Sequence, residues 1–429
     1  MRSATVILAL FAVIATGCTT AGAPRSTVPG AAGDPSRPGE RAQGSAHETR
    51  ARELLGLGRA AVGRGDTAEA AASFREALRL EPDLTDAWEG LGLALYQMGD
   101  LDGSVEELRA LLRQRPDAVR ARYLLATTFM AKQDWSAARR ELEDVLRRQP
   151  DLVPALYSLG LVRYALGDSN GAIDAYRQAL SYRPNQPDVR YNLALVLKLA
   201  HRDAEATPEF VAAARAGHAR AQFFAGTAYA RGLGVELDTA RAIAWWSRAA
   251  EQGSLEAATA FGELRQTALG KTRRAPAERQ KVEQAFRDYR TALWSDYPEL
   301  TRAGDDDTVG AALLRQGRGA EAVPVLISEA LAFSDPAQTL LEELYYHGSP
   351  GQLAPYDARI LRYFSTAADE GQPRARITLA KVYAAGLGVP KDTARAIGLL
   401  KSTPHEDAQR LLQEISTAPE AVPTAPVRP

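Results

Sequence analysis

"GLGVELDTARAI" runs from Gly232 to Ile243, and "GLGVPKDTARAI" runs from Gly386 to Ile397. Ten of the twelve positions agree, across an offset of 154 residues. A glycine-rich loop ahead of a helix is one way to cradle a phosphate, but such a loop follows a β-strand, and neither copy has one in front of it. The alternative is architectural. Gly232, Gly234, Gly386 and Gly388 permit the positive φ of a tight turn. The valine plugs the turn into the core, and Asp238 or Asp392 caps the helix that follows by accepting from its free N–H groups. Both copies therefore read as the turn between two helices of a repeated unit.

The rest of the chain agrees with a helical repeat. It has 429 residues, a formal charge of −1 and no long block of like charge, a balance that excludes a nucleic-acid binder. Alanine and leucine are abundant and β-branched runs are scarce, which favours helix. Prolines stand at 82, 116, 150 and 184, a spacing of 34. Gly65, Gly99 and Gly167 keep the same register, each followed by Asp, and Gln133-Asp134 fills the remaining place. Small residues recur at Gly58, Gly92, Ala126, Gly160 and Ala194, and again at Ala70, Ser104, Ala138, Ala172 and Ala206. Two antiparallel helices that approach closely need small residues at the crossing. The Gly-Asp pair turns the chain, and proline ends the second helix. One such pair cannot bury its apolar face alone, and stacked neighbours can.

This pattern resembles the tetratricopeptide repeat, whose period is 34. Repeat two carries it best, with Trp88, Leu91, Gly92, Gly99, Leu108 and Pro116. Repeats begin at 51, 85, 119 and 153, and a fifth begins at 187 with His218 where proline is expected. From about 217 the phrase changes. Gly217, Ala221, Gly226, Tyr229, Gly232, Gly234, Asp238, Ala242 and Trp246 resemble a Sel1-like repeat, a relative with a longer turn, and the second copy follows from Gly371. A looser copy starts at Ala337. The offset of 154 equals four units of about 38, so helix pairs fill the interval. The resemblance implies an all-α fold, a right-handed α-solenoid of antiparallel helix pairs. Its tetratricopeptide part covers 49–216 and its Sel1-like part 217–415, with a divergent middle at 265–334. There, a helix from Ala277 places Val282, Ala285, Phe286, Tyr289, Ala292 and Leu293 on one face. Asp305-Asp306-Asp307 reads as a helix start. Plain helical hairpins and an inserted second function are both open for this stretch.

The first residues, MRSATVILALFAVIATGC, have a positive start and an apolar core too short to span a bilayer. Ala15-Thr16-Gly17-Cys18 resembles a bacterial lipobox, although Ala15 departs from the usual aliphatic residue. The resemblance implies a signal peptide over 1–17 and a lipid on Cys18, the one cysteine of the chain. An ordinary signal peptide with a chance cysteine is the other reading. Either way the body has no cysteine left for an internal disulfide. Residues 18–48 are rich in Pro, Gly, Ser and Ala and read as a disordered tether, and 416–429 read as a disordered tail. Thr19, where an aspartate would retain a lipoprotein at the inner membrane, implies the outer membrane with the body facing the periplasm.

No metal or cofactor is expected. The five histidines show no ligand spacing, and no Gly-x-Ser-x-Gly, Ser-x-x-Lys or His-Glu-x-x-His occurs. The chain reads as a non-enzyme, and what it offers is a surface. In the repeats it resembles, the first helix of each unit lines a concave groove. Its fifth position here is Leu55, Glu89, Tyr123, Tyr157 and Tyr191. Its ninth and twelfth positions add Leu93, Leu161, Leu195, Tyr96 and Tyr164. Tyrosine combines apolar area with a polar handle and is favoured at interfaces, so these residues are a candidate partner groove. Packing against the next repeat is the competing reading. The resemblance implies a membrane-tethered scaffold for envelope proteins, such as an exopolysaccharide-export or complex-assembly factor. A pilotin, an adaptor for peptidoglycan hydrolases and a polysaccharide-binding module are the alternatives, and enzyme activity or regulation in the divergent middle is a further class.

Overall fold

The computed structural model of the protein describes residues 38–417. Residues 1–37, including Cys18 and the signal segment, and residues 418–429 lie outside that range. The described chain is helical, with one isolated bridge between Ser349 and Leu353. It falls into two compact units, divided between His218 and Ala219. The first holds α1 (Pro38–Arg64), α2 (Thr67–Leu80), α3 (Thr85–Met98), α4 (Leu101–Gln114), α5 (Val119–Ala131), α6 (Trp135–Arg148), α7 (Val153–Ala165), α8 (Ser169–Tyr182), α9 (Pro187–Leu199) and α10 (Asp203–Arg215). They pair as α1/α2 through α9/α10, and each pair packs on the next.

The small columns mark where the two helices of a pair meet. A Cβ at Gly92 would lie 2.7 Å from Leu108, and one at Gly160 would enter the ring of Tyr176. In both cases the bulky partner is sixteen residues on. Ala126 and Ala194 fill the same place and are fully buried. In the second column Ser104 is buried too. Its hydroxyl donates to Gly92 O at 2.9 Å and lies 3.2 Å from Thr128 Oγ1, so a polar atom is satisfied at a crossing otherwise made of alanine.

The turns follow the same economy. Asp100, Asp134 and Asp168 accept from the amides of Gly103, Ala137 and Gly171 at 3.0, 3.0 and 2.8 Å. Asp66 does not cap α2, because its carboxylate is taken by Arg64 Nε at 3.0 Å. Gln133 stands where the other turns use glycine and adopts φ 59°, as does His201. The proline carbonyls of the pair-to-pair connections also serve. Those of Pro82, Pro116 and Pro184 accept from Trp88, Arg122 and Arg190, each six residues on.

At the start of the chain the structure differs from the expected tether. Helix α1 begins at Pro38, ten residues before the tether was expected to end. Proline suits a first helical position, and the run from Glu40 to Gln43 consists of strong helix formers. Composition read over a long window hid that local preference.

The second unit holds α11 (Ala219–Arg231), α12 (Thr239–Glu251), α13 (Leu255–Ala268), α14 (Pro276–Leu293), α15 (Val309–Arg315), α16 (Gly319–Leu331), α17 (Asp335–His347), α18 (Ala358–Asp369), α19 (Pro373–Ala385), α20 (Thr393–Lys401) and α21 (Glu406–Thr417). Three pairs separate the two pairs that bear the GLGV turns, and α21 packs on the last pair. In α14, Val282, Ala285, Phe286, Tyr289 and Leu293 are buried, with Phe286 between Phe261 and Phe333 at centroid distances of 5.9 and 5.0 Å. Ala292 is exposed, because it stands at the edge of this stripe while Leu293 continues it into the core. Helix α15 is capped by Thr308, whose hydroxyl accepts from Ala311 N, while Asp307 pairs with Arg315.

The N-terminus of α15 is closed from below. Glu329, 2% exposed, accepts from the amides of Val309 at 2.8 Å and Gly310 at 3.1 Å. Burial pushes this carboxyl up to about 7 from an ordinary 4.5, against the downward pull of the two amides. An acid that holds its proton more tightly when folded stabilises the fold fully below about pH 4.5, and that contribution fades as pH rises through about 7. The span amounts to roughly 3 kcal/mol.

Two outcomes are expected. Urea melts of Glu329→Gln should show a flatter stability profile between pH 5 and 7.5 than the unaltered protein, which should lose stability over that window. Gln133→Gly should raise stability by about 1 kcal/mol, since it removes a left-handed non-glycine residue.

Candidate partner-binding surface

The two GLGV turns are built alike. Gly232, Gly234, Gly386 and Gly388 have φ of 65°, 68°, 70° and 70°. Asp238 N donates to Tyr229 O and Asp392 N to Tyr383 O, both at 2.9 Å, and Leu233 N and Leu387 N return to the helix before them. The carboxylates of Asp238 and Asp392 accept from Arg241 N and Arg395 N at 2.9 Å. The same arginines lie over Tyr229 and Tyr383, 5.4 and 4.3 Å from the ring centroids. In the second copy Tyr345 donates to Leu387 O at 2.7 Å and Val389 packs on the core. Amides tied to the preceding helix cannot cradle a phosphate, so the geometry of both loops is that of a turn.

The tyrosine column does something the spacing alone did not show. In the second, third and fourth pairs the side chain at the fifth position reaches the next pair. Glu89 lies 3.5 Å from Arg120. The Tyr123 hydroxyl lies 3.3 Å from Ser158 Oγ. Tyr157 accepts from Asn192 Nδ2 at 2.7 Å, and Tyr191 stacks on His218 at 4.4 Å. Burial pushes the Tyr157 hydroxyl well above the ordinary tyrosine range, so it stays a neutral hydrogen-bonding group.

Exposure then divides the candidate groove. Tyr191, Leu161 and Leu195 are 8%, 3% and 9% exposed. For these three the groove assignment is corrected to core packing, because their surface is consumed by neighbouring helices. Leu93, Tyr96, Tyr123, Tyr157 and Tyr164 are half-buried, on the first helices of three consecutive pairs. Ser158 and Asn192, the partners of the ladder, went unrecognised in the sequence. Their signal was a polar residue thirty-five positions beyond a tyrosine, inside an apolar run.

Among the described residues no group of three or more His, Cys, Asp or Glu is placed to hold a metal ion, and no helix is long and apolar enough to cross a membrane.

Comparison with known proteins bears on this architecture. Models of the tetratricopeptide repeat match residues 55–119, 91–153 and 160–199, and a model of the Sel1 repeat matches 219–254 and 373–402. The chain carries both kinds of repeat. Repeat proteins of this kind bind other proteins and are generally non-enzymatic scaffolds. A curated relative, the ERAD-associated E3 ubiquitin-protein ligase component HRD3A of Arabidopsis thaliana, is 32% identical over 190 residues. That match covers 43% of this chain and 27% of the relative, so the chain spans about a quarter of that protein's length. Among solved structures, residues 41 to the end of MamA from Desulfovibrio magneticus RS-1 align at 22% identity and a TM-score of 0.37, covering 38% of this chain and 93% of that one. PilF of Pseudomonas aeruginosa aligns at 21% identity and a TM-score of 0.44, covering 51% and 99%.

If the ladder couples neighbouring pairs, Tyr157→Phe should cost about 1 kcal/mol of stability, with more lost if Asn192 is left unsatisfied. Tyr157→Ala should cost about 3 kcal/mol or more. Chemical denaturation measures both. A Tyr157→Ala protein as stable as the unaltered one would remove the ladder from the fold's support.

Proposed function

We propose that the protein is a membrane-tethered, non-enzymatic scaffold of the bacterial cell envelope. It holds a protein partner on the first helices of the tetratricopeptide pairs. The observation that carries this reading is the row of half-buried large side chains, Leu93, Tyr96, Tyr123, Tyr157 and Tyr164, on three consecutive pairs. Rings in this state keep apolar area available to a partner, and their hydroxyls fix orientation at little conformational cost. The lipobox-like run ending at Cys18 supports tethering, and Thr19 supports an outer-membrane address facing the periplasm. A single acyl chain binds a membrane only marginally, so the stable anchor is the multiply acylated cysteine of a lipoprotein. Assembly of an export or other envelope complex is the role this arrangement suits.

Two experiments test the two halves of the proposal. Metabolic labelling with an alkyne fatty acid should mark the unaltered protein and not Cys18→Ser, and equal labelling of both would end the tether reading. A photo-crosslinking residue placed at Tyr96 or Tyr164 should trap an envelope protein, and the same residue at the exposed Arg113 of α4 should not. Equal trapping at all three positions would end the groove reading.

A further inference from the structure

The second unit contains a concentration of positive charge that the groove does not use. Between Gly270 and Arg290 stand seven basic residues and three acidic ones, in a chain whose net charge is −1. Arg274 and Arg279 pair along the helix with Glu278 and Glu283. Lys271, Arg273 and Lys281 have no carboxylate within ion-pair distance among the described residues.

The fold draws these charges together and adds one from a distant helix. The guanidinium of Arg279 folds back over Gly270, where a Cβ would lie 2.6 Å from Nη1. Lys271 Nζ and Arg376 Nη2 converge on Gly371, where a Cβ would lie 2.8 and 3.4 Å from them, so they stand no more than 6.2 Å apart. Each keeps donors in hand. Lys271 is bonded to the Glu370 carbonyl. Arg376 uses Nε on Ala368 O and Nη1 on Ser402 O, at 2.9 and 2.8 Å, and leaves Nη2 toward Gly371. The Glu370 carboxylate is already held from beneath by Arg265 at 2.7 Å. Arg265 is 1% exposed, and its Nε and Nη2 have no acceptor among the described residues. One carboxylate thus faces both Arg265 and Lys271.

Cations at the C-terminal end of α18 are expected to meet its carbonyls. That accounts for some donors of Lys271 and Arg376. It does not account for Arg273 and Lys281, which stand without a carboxylate partner near the start of α14, where the helix dipole is itself positive. Charge set against the local dipole and left unpaired is charge that an external anion can complete.

We propose that this patch, centred on Gly371 between Lys271 and Arg376 and extended by Arg273, Arg274 and Arg279, docks an acidic segment of a partner protein. Carboxylates fit its forked donors. The patch has none of the exposed large apolar side chains of the described residues, and a surface that settles on a bilayer inserts such groups. The inference goes beyond the groove: it lies in the other unit, and its assay does not involve the groove.

The test uses the full chain and a fluorescently labelled twelve-residue peptide of alternating Glu and Gly. Binding should weaken at least tenfold between about 50 and about 300 mM salt, as screening requires. It should weaken at least tenfold in the doubly substituted Arg273→Glu/Arg274→Glu, whose exposed side chains support no buried contact, with an unchanged melting temperature. Arg376→Gln should weaken it as well, and a peptide with Gln in place of Glu should not bind. Peptide binding that the double substitution leaves unchanged would overturn the proposal. So would binding to phosphatidylglycerol vesicles, or to inorganic phosphate, without binding to the Glu peptide.

Discussion

The fold depends on one contact made again and again: a small residue in the first helix of a pair lying against a bulky residue in the second. In the tetratricopeptide pairs the two are sixteen residues apart, as in Gly92 with Leu108 and Gly160 with Tyr176. In the pair bearing the first GLGV turn, Gly226 lies against Trp246, twenty residues on. The longer turn adds residues between the helices, and the bulky partner moves by the same amount. Gly310 with Leu326, inside the divergent middle, returns to sixteen. The close approach is what the chain preserves, and turn length is what it varies. A Cβ at any of these glycines would push apart helices whose separation sets the stacking of their neighbours.

Stacking alone is non-specific, since apolar helix faces slide. In the first unit, polar side chains fix the register between pairs. Tyr157 with Asn192 and Tyr123 with Ser158 join a residue of one pair to the residue thirty-five positions on. Ser104 with Thr128 does the same at the small column. A buried polar group without its partner costs about 1–3 kcal/mol, so a slipped register would strand each of these groups. The column is therefore part of the scaffold as much as part of its surface. A partner bound on Tyr96 or Tyr164 would sit on a framework already held in place by Tyr157 and Tyr191.

The second unit replaces regular ladders with a few contacts that span large sequence distances. Ser247, Tyr289 and Ser328 meet from α12, α14 and α16, with oxygens 2.7 and 2.5 Å apart. Arg265 and Glu370 are 105 residues apart and pair at 2.7 Å. Desolvation holds Arg265 below and Glu370 above their ordinary ranges, so each ion is less at ease than in water. Such a pair adds little net stability, and its strength lies in punishing any packing that separates the partners. This suits a region whose repeats are too uneven for a regular register. Helix α15 has seven residues, and its N-terminus is completed by Glu329 from the following helix.

Much of this was legible in the sequence. The period of 34, the Gly-Asp turns and the twin GLGV phrases identify helix pairs because close approach, left-handed turns and proline breaks each demand a particular residue type. Those demands are local, and a linear chain displays them. Three things were not legible. Whether Tyr191 is core and Tyr164 half-buried depends on what the fold lays over them, and both are tyrosines on the first helix of a pair. That Asp66 pairs with Arg64 while Asp100 caps its helix depends on which competing partner is nearer in space. The convergence of Lys271 and Arg376 on Gly371 joins residues about a hundred positions apart, and no spacing in the chain announces it. The sequence by itself determined the repeated unit, because that unit is held by interactions within a few tens of residues. The tertiary structure alone decided which faces are spent on neighbours and which charges are left to meet something else, because burial and convergence belong to the stack and to no single repeat.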